Sequence, residues 1–228
     1  MRIICIEEHA IDLDIVKAAQ PALQHEAPYI GLQSSVPRPR LADRPSAVTM
    51  QEAVALGTDL GQGRIKAMDD HGIQMQVVSW ISPAQLAPAD QAVSLTGAAN
   101  DRLAEAIRAN QTRLSGFAVL PWQQPAAAAA ELDRSVSDLG LKGALLAGRP
   151  GATFLDDPKY APVLQKLSDL QVPLYVHPFT PLPQVHDAYY SGATSGSPQA
   201  ACSGCRTSIS FTRSSVPTES SGRSITRS

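Results

Sequence analysis

Five short apolar segments, separated by stretches with helical periodicity, constrain the fold of this 228-residue chain more than any other feature. Each segment is continuously apolar rather than alternating, which is typical of parallel strands covered on both faces. The stretches between them place apolar residues three or four positions apart, the spacing of one helix face. The predicted strands are IICI (3–6), MQVVSW (75–80), GFAVL (116–120), GALLA (143–147) and PLYVH (173–177).

The repeated order of strand and helix predicts an α/β fold with a parallel sheet and right-handed connections. A doubly wound sheet and a (β/α)8 barrel both fit five such units. Gly72 and Gly140 lie at two predicted helix ends, where glycine is the usual C-terminal cap. Residues 12–60 depart from the order, and there we expect a helix followed by an irregular, proline- and serine-rich excursion.

The last part of the chain differs in composition from the rest. Residues 191–228 are rich in serine and arginine and show neither helical nor strand periodicity. A disordered tail and an out-of-frame translation would both explain this sequence. We therefore divide the chain into a folded domain over residues 1–190 and a tail over residues 191–228.

Composition excludes several classes of function. A net charge of −2 and an aromatic content of 5% argue against binding to nucleic acid or to an anionic membrane. No run of 18 apolar residues is present, so no membrane span is expected. Three cysteines give no disulfide framework, which predicts a cytoplasmic location. Cys202 and Cys205 form a CxxC without a second pair, so a zinc or redox motif is disfavoured.

Polar side chains at the ends of two predicted strands form the candidate site. Glu7 and His9 share one face of the first strand because they are two positions apart, whereas Glu8 faces the other way. His177 ends the fifth strand, at the same carboxyl edge of the sheet. Together they offer three ligands for Zn²⁺ or Mn²⁺ and leave a position for water or substrate. Chance spacing and an ordinary histidine at a strand end are the structural alternatives.

The other histidines give weaker indications. His71 precedes a glycine at a predicted helix end, where a structural role is expected. His186 lies just past the fifth strand and is a candidate substrate-binding residue, although solvent exposure is the simpler interpretation. His25 lies in the irregular excursion and indicates no function.

Several segments, taken in order, resemble the amidohydrolase-related metal-dependent decarboxylases, of which 2,3-dihydroxybenzoate and γ-resorcylate decarboxylases are the most similar in character. The resemblance covers roughly residues 2–190 and rests on IEEHAI, RIKAMDDHGIQMQVVS, ANDRLAEAI, LSGFAVLPWQQPAAAAAEL, DLGLKGALLAG and VPLYVHPFTPLP. It implies a (β/α)8 TIM barrel with one divalent metal ion, Zn²⁺ or Mn²⁺, at the carboxyl face. It also implies that Glu7, His9 and His177 are ligands of that ion.

The activity implied by the resemblance is the non-oxidative loss of CO2 from a hydroxylated benzoate, a small aromatic carboxylic acid. Family members have a further histidine on the sixth strand and an aspartate on the eighth strand that delivers the proton. Neither has a counterpart here, so no catalytic residue is assigned. Ala147 also replaces an asparagine that is common near the substrate.

About five of eight βα units are present, so we expect an incomplete barrel from a truncated or frameshifted chain. Such a sheet leaves an unpaired edge, which predicts impaired turnover and a tendency to associate. Two other interpretations stay open: a metal-dependent hydrolase of a lactone or amide, and a non-catalytic metal-binding remnant. Family members usually form homo-oligomers, which is a possible state here.

Overall fold

The computed structural model describes residues 2–26, 50–181 and 184–185. Five parallel strands form one sheet, and their order in the sheet is their order in the sequence. The strands are β1 (Ile4–Ala10), β2 (Met75–Trp80), β3 (Leu114–Val119), β4 (Ala144–Ala147) and β5 (Leu174–His177). This curled parallel sheet confirms the predicted incomplete (β/α)8 barrel.

In the described parts of the chain, six helices accompany the strands, together with 3-10 turns at Ala84–Leu86 and Pro158–Tyr160. The helices are α1 (Leu13–Glu26), α2 (Met50–Thr58), α3 (Gln62–Asp70), α4 (Ala89–Ala109), α5 (Pro125–Ser137) and α6 (Ala161–Asp169). Gly72 and Gly140 follow α3 and α5 with φ angles of +67° and +76°, which confirms the predicted glycine caps. Within the described residues, no helix is long and apolar enough to cross a lipid bilayer.

The predicted bounds of the first strand are wrong. Four strands begin and end within two residues of their predicted limits, but β1 continues past Ile6 to Ala10. Pairing with β2 continues through His9 opposite Ser79 and Ala10 opposite Trp80, so the strand extends beyond its predicted apolar run and includes Glu7, Glu8 and His9. A polar residue is tolerated at Glu7 because its side chain is 60% exposed.

Part of the predicted excursion over residues 12–60 is helical. The expected helix is present as α1, but the segment MQEAVALGT forms α2, which was not predicted. Its helix-favouring Gln, Glu, Ala and Leu residues explain this outcome. Residues 27–49, the predicted tail over 191–228, His186 and the Cys202–Cys205 pair lie outside the described residues. The boundary at residue 190 stays a prediction.

The core lies between the sheet and the helices. Gly116 on β3 allows α4 to approach closely, since a Cβ atom there would lie 2.8 Å from the Leu103 side chain. Asn100 on α4 is fully buried and bonds both main-chain groups of Val119, each at 2.9 Å. It also donates to Glu131 on α5 at 2.6 Å. The Asn100 amide therefore joins α4 and α5 to the carboxyl end of β3.

Candidate metal centre

The first and fifth strands contribute the three predicted ligands. Glu7 and His9 lie on β1, and His177 ends β5. These strands are at opposite ends of the sheet order, yet each of the three side chains offers a ligand atom within 4.8 Å of the other two. The sheet therefore curls enough to bring together side chains that are far apart in the sequence.

A bulge in β1, at Ile6 and Glu7, includes the first proposed ligand. Cys5 pairs with Gln76 and Glu8 pairs with Val78, so β1 has one more residue than β2 in this interval. Beyond the bulge the alternation is regular. Glu7 and His9 both approach His177. Glu8 lines a cleft of about 460 Å³ that His9 also borders.

His177 presents one free ring nitrogen to the site. Its Nδ1 lies 2.6 Å from the carbonyl oxygen of Pro178, and a carbonyl only accepts, so Nδ1 carries the proton. Its Nε2 lies 3.6 Å from a Glu7 carboxylate oxygen. This tautomer leaves the Nε2 lone pair available to a metal ion.

His9 is the least satisfied side chain of the site. Both of its ring nitrogens are buried and make no hydrogen bond within the part of the chain that the structure describes. Burial and the neighbouring His177 ring, 4.5 Å away between centroids, lower the pKa of His9 to about 4, although Glu7 opposes the shift. The ring is therefore neutral at pH 7. A buried, unpaired, neutral imidazole beside a carboxylate fits a divalent metal ion.

Two further residues face the site and were not singled out from the sequence. Tyr175 lies beside Glu7, and burial together with the neighbouring Glu7 carboxylate raises the pKa of the phenol. Ser79 pairs with His9 across β1 and β2, and its buried hydroxyl has no partner among the described residues. The indication for Tyr175 was its position two residues before His177, which places both on one strand face.

The two other described histidines, His25 and His71, lie outside the site. His71 ends α3, where its Nδ1 lies 2.8 Å from the carbonyl oxygen of Ala67, consistent with the expected structural role. His25 is exposed in the last turn of α1. His186, the predicted substrate-binding residue, is outside the described residues.

Comparison with known proteins places these features in a family. The family profile described as amidohydrolase matches residues 56–202, which is more than half of the chain. A curated γ-resorcylate decarboxylase from Rhizobium radiobacter is 42% identical over 134 residues, covering 55% of this chain and 41% of the relative. The chain thus spans less than half the length of this curated relative.

Solved structures with a similar fold include aromatic acid decarboxylases. A 5-carboxyvanillate decarboxylase from Novosphingobium aromaticivorans, with bound manganese and a nitrobenzoic acid, has a TM-score of 0.74 at 26% identity. It covers 89% of this chain and 58% of its own. A dihydroxybenzoic acid decarboxylase from Polaromonas sp., with bound manganese and 2-nitroresorcinol, has a TM-score of 0.66 at 31% identity, covering 85% and 54%.

Proposed function

Because this chain belongs to the amidohydrolase family, we propose that Glu7, His9 and His177 bind one divalent metal ion, Mn²⁺ or Zn²⁺. We further propose that the site serves the non-oxidative decarboxylation of a hydroxylated benzoate of the γ-resorcylate type. The unpartnered His9 imidazole, within reach of a carboxylate and a second imidazole, is the observation that carries this proposal.

The ligand set offers one carboxylate oxygen and two imidazole nitrogens. Such a set suits a borderline divalent ion, and three protein ligands leave positions for substrate. Manganese in the two structural relatives favours Mn²⁺, while the sequence alone left Zn²⁺ equally open. When bound, the ion supplies positive charge that stabilises negative charge on substrate oxygens.

Residues of this chain prepare the site. Tyr175 lies beside the Glu7 carboxylate, while the Pro178 carbonyl fixes the tautomer of His177. Phe117 stacks on Tyr175 with ring centroids 6.2 Å apart, giving the inner face an aromatic surface beside the ligands. An aromatic acid meets both requirements of such a site, a flat apolar ring and an anionic group.

The proposed reaction breaks the bond between the ring carbon and the carboxylate and forms a ring C–H bond. CO2 leaves, and the ring carbon takes a proton from an acid. No residue in the described part of the chain is assigned as that acid. Turnover requires a donor for this proton, whereas binding of the metal ion does not. The two properties are therefore tested separately.

The test uses the full chain, loaded with Mn²⁺ and incubated with 2,6-dihydroxybenzoate. We expect about one Mn²⁺ per chain by elemental analysis and the appearance of resorcinol by chromatography. His177→Ala should lose both the metal and the product, whereas His71→Ala, at the end of α3, should lose neither.

Other outcomes identify the alternatives. Stoichiometric Mn²⁺ without product from any dihydroxybenzoate indicates a metal-binding protein without turnover. Opening of a lactone or cleavage of an amide indicates a hydrolase on the same scaffold. Absence of bound metal in the unmodified chain rejects the proposal entirely. The cytoplasmic location and the homo-oligomer stay predictions.

A further inference from the structure

Arg64 on α3 contacts the main chain of a proposed ligand from behind the sheet. Its Nη2 donates to the carbonyl oxygen of His9 at 3.0 Å. Its Nη1 donates to the Gln76 side chain on β2 at 3.1 Å, and its Nε donates to the carbonyl oxygen of Asp59 at 2.8 Å. One guanidinium therefore joins β1, β2 and the connection between α2 and α3.

The His9 ring has no hydrogen bond of its own to orient it in the described residues. A metal-binding histidine is usually oriented by a hydrogen bond on its second ring nitrogen. In the described residues neither ring nitrogen of His9 has a partner. The orientation of this imidazole must then come from packing and from the position of its main chain, which follows a bulge.

The guanidinium is suited to this task. Arg64 lies in the cleft behind β1 with the charged groups Glu8 and Asp59. Burial lowers the pKa of Arg64, and these two carboxylates oppose the shift, so the side chain stays charged. A planar group with several fixed donors holds three acceptors in one geometry, which an ammonium group does not reproduce.

We propose that Arg64 is a positioning residue of the metal centre, which orients the His9 imidazole by fixing the main chain of that residue. The inference rests on the proposed metal centre. Arg64 does not touch the ligand atoms, so its effect should be on the affinity for the metal and on the geometry of the ligands.

Arg113 provides a matched control. It donates to the carbonyl oxygens of Gln74 and Ile73, both at 3.0 Å, and pairs with Asp69 at 2.6 Å. It therefore makes the same kind of main-chain clamp, but at the amino end of β2. Loss of either arginine should lower the folding stability. Only loss of Arg64 should weaken the binding of the metal ion.

The experiment measures Mn²⁺ binding to the metal-free full chain by calorimetry, with Co²⁺ absorption as a reporter of ligand geometry. For Arg64→Gln we expect Kd to rise about tenfold and the Co²⁺ bands to shift. For Arg113→Gln we expect a change in Kd below about twofold. Arg64→Lys, which retains the charge but not the three-way contact, should weaken binding to an intermediate degree.

Several results would overturn the inference. An unchanged Kd and spectrum in Arg64→Gln would show that the contact does not position His9. An equal rise in Kd for both glutamine variants would assign the effect to general loss of stability. If Arg64→Gln does not fold, wild-type binding by Arg64→Lys rejects the proposal, and weakened binding supports it. Failure of the unmodified chain to bind Mn²⁺ removes the metal centre itself, which is a different result.

Discussion

At the scale of single residues, His9 couples the stability of the metal-free chain to pH. Its pKa is about 4 in the folded chain, against about 6.5 for an unfolded histidine. The folded state therefore binds fewer protons between these values, and the contribution of His9 to stability is fully present above pH 6.5. It decreases as the pH falls towards 4.

We expect the metal-free chain to lose ~1–2 kcal/mol of unfolding free energy through His9 between pH 7 and pH 4.5, after allowance for partial exposure of the side chain. Denaturant titration at both pH values, with EDTA present, measures this difference. His9→Gln should reduce it, whereas His71→Gln should leave it unchanged. Equal pH dependence in wild type and His9→Gln would contradict the assigned shift.

The placement of the ligands was only partly predictable. The two-residue spacing was sufficient to place Glu7 and His9 together. The bulge at Ile6–Glu7 depends on pairing with β2, and the burial of the His9 ring depends on His177 of β5. The sequence of β1 alone contains no information about these contacts. The contact of Tyr175 with Glu7 was missed for the same reason, because it joins strands that are distant in sequence.

At the scale of elements, continuous apolar runs were a reliable guide to the buried strands. They failed for β1, whose polar carboxyl end is stabilised by pairing with β2 rather than by its own composition. The helix Met50–Thr58 was not predicted, because the proline-rich segment before it was taken to extend to residue 60. The local hydrophobic pattern therefore predicts the bounds of a strand well when burial of apolar side chains sets them. It predicts them poorly when pairing with a neighbouring strand sets them.

The amide that joins α4, α5 and β3 provides a test at this scale. Asn100→Ala removes the side chain that bonds both main-chain groups of Val119. It also removes one donor to the Glu131 carboxylate, which keeps its bonds from Ser135 and Arg134. We expect a loss of about 2–4 kcal/mol in unfolding free energy, measured by denaturant titration. Asn110→Ala, which removes one partly buried bond at the end of the same helix, should cost less than about 1 kcal/mol. Similar losses in the two variants would contradict this role for Asn100.

At the scale of the whole molecule, β1 and β5 are the outer strands of the described sheet. Ile4 and Ile6 on β1 are 46% and 61% exposed. An open strand edge with exposed apolar side chains favours pairing with another chain. The expectation that this chain self-associates therefore gains a specific surface, which we define as Ile4 and Ile6.

We expect the full chain to form concentration-dependent oligomers in sedimentation velocity experiments. Ile6→Lys should shift the distribution towards the monomer, because a charged side chain on an edge strand opposes pairing. Leu13→Lys is the control, since Leu13 is 55% exposed but lies on α1. A monomer at all concentrations, or equal effects of both lysines, would show that this surface does not drive association.

The curl of the sheet also has a consequence for the order of assembly. The proposed ligands are divided between β1 and β5, the first and the last strand of the described sheet in chain order. A nascent chain that ends after β4 would offer only Glu7 and His9, so no ion could find all three ligands before β5 is made and has docked. Capture of a metal ion would therefore mark the moment at which the five strands have come together.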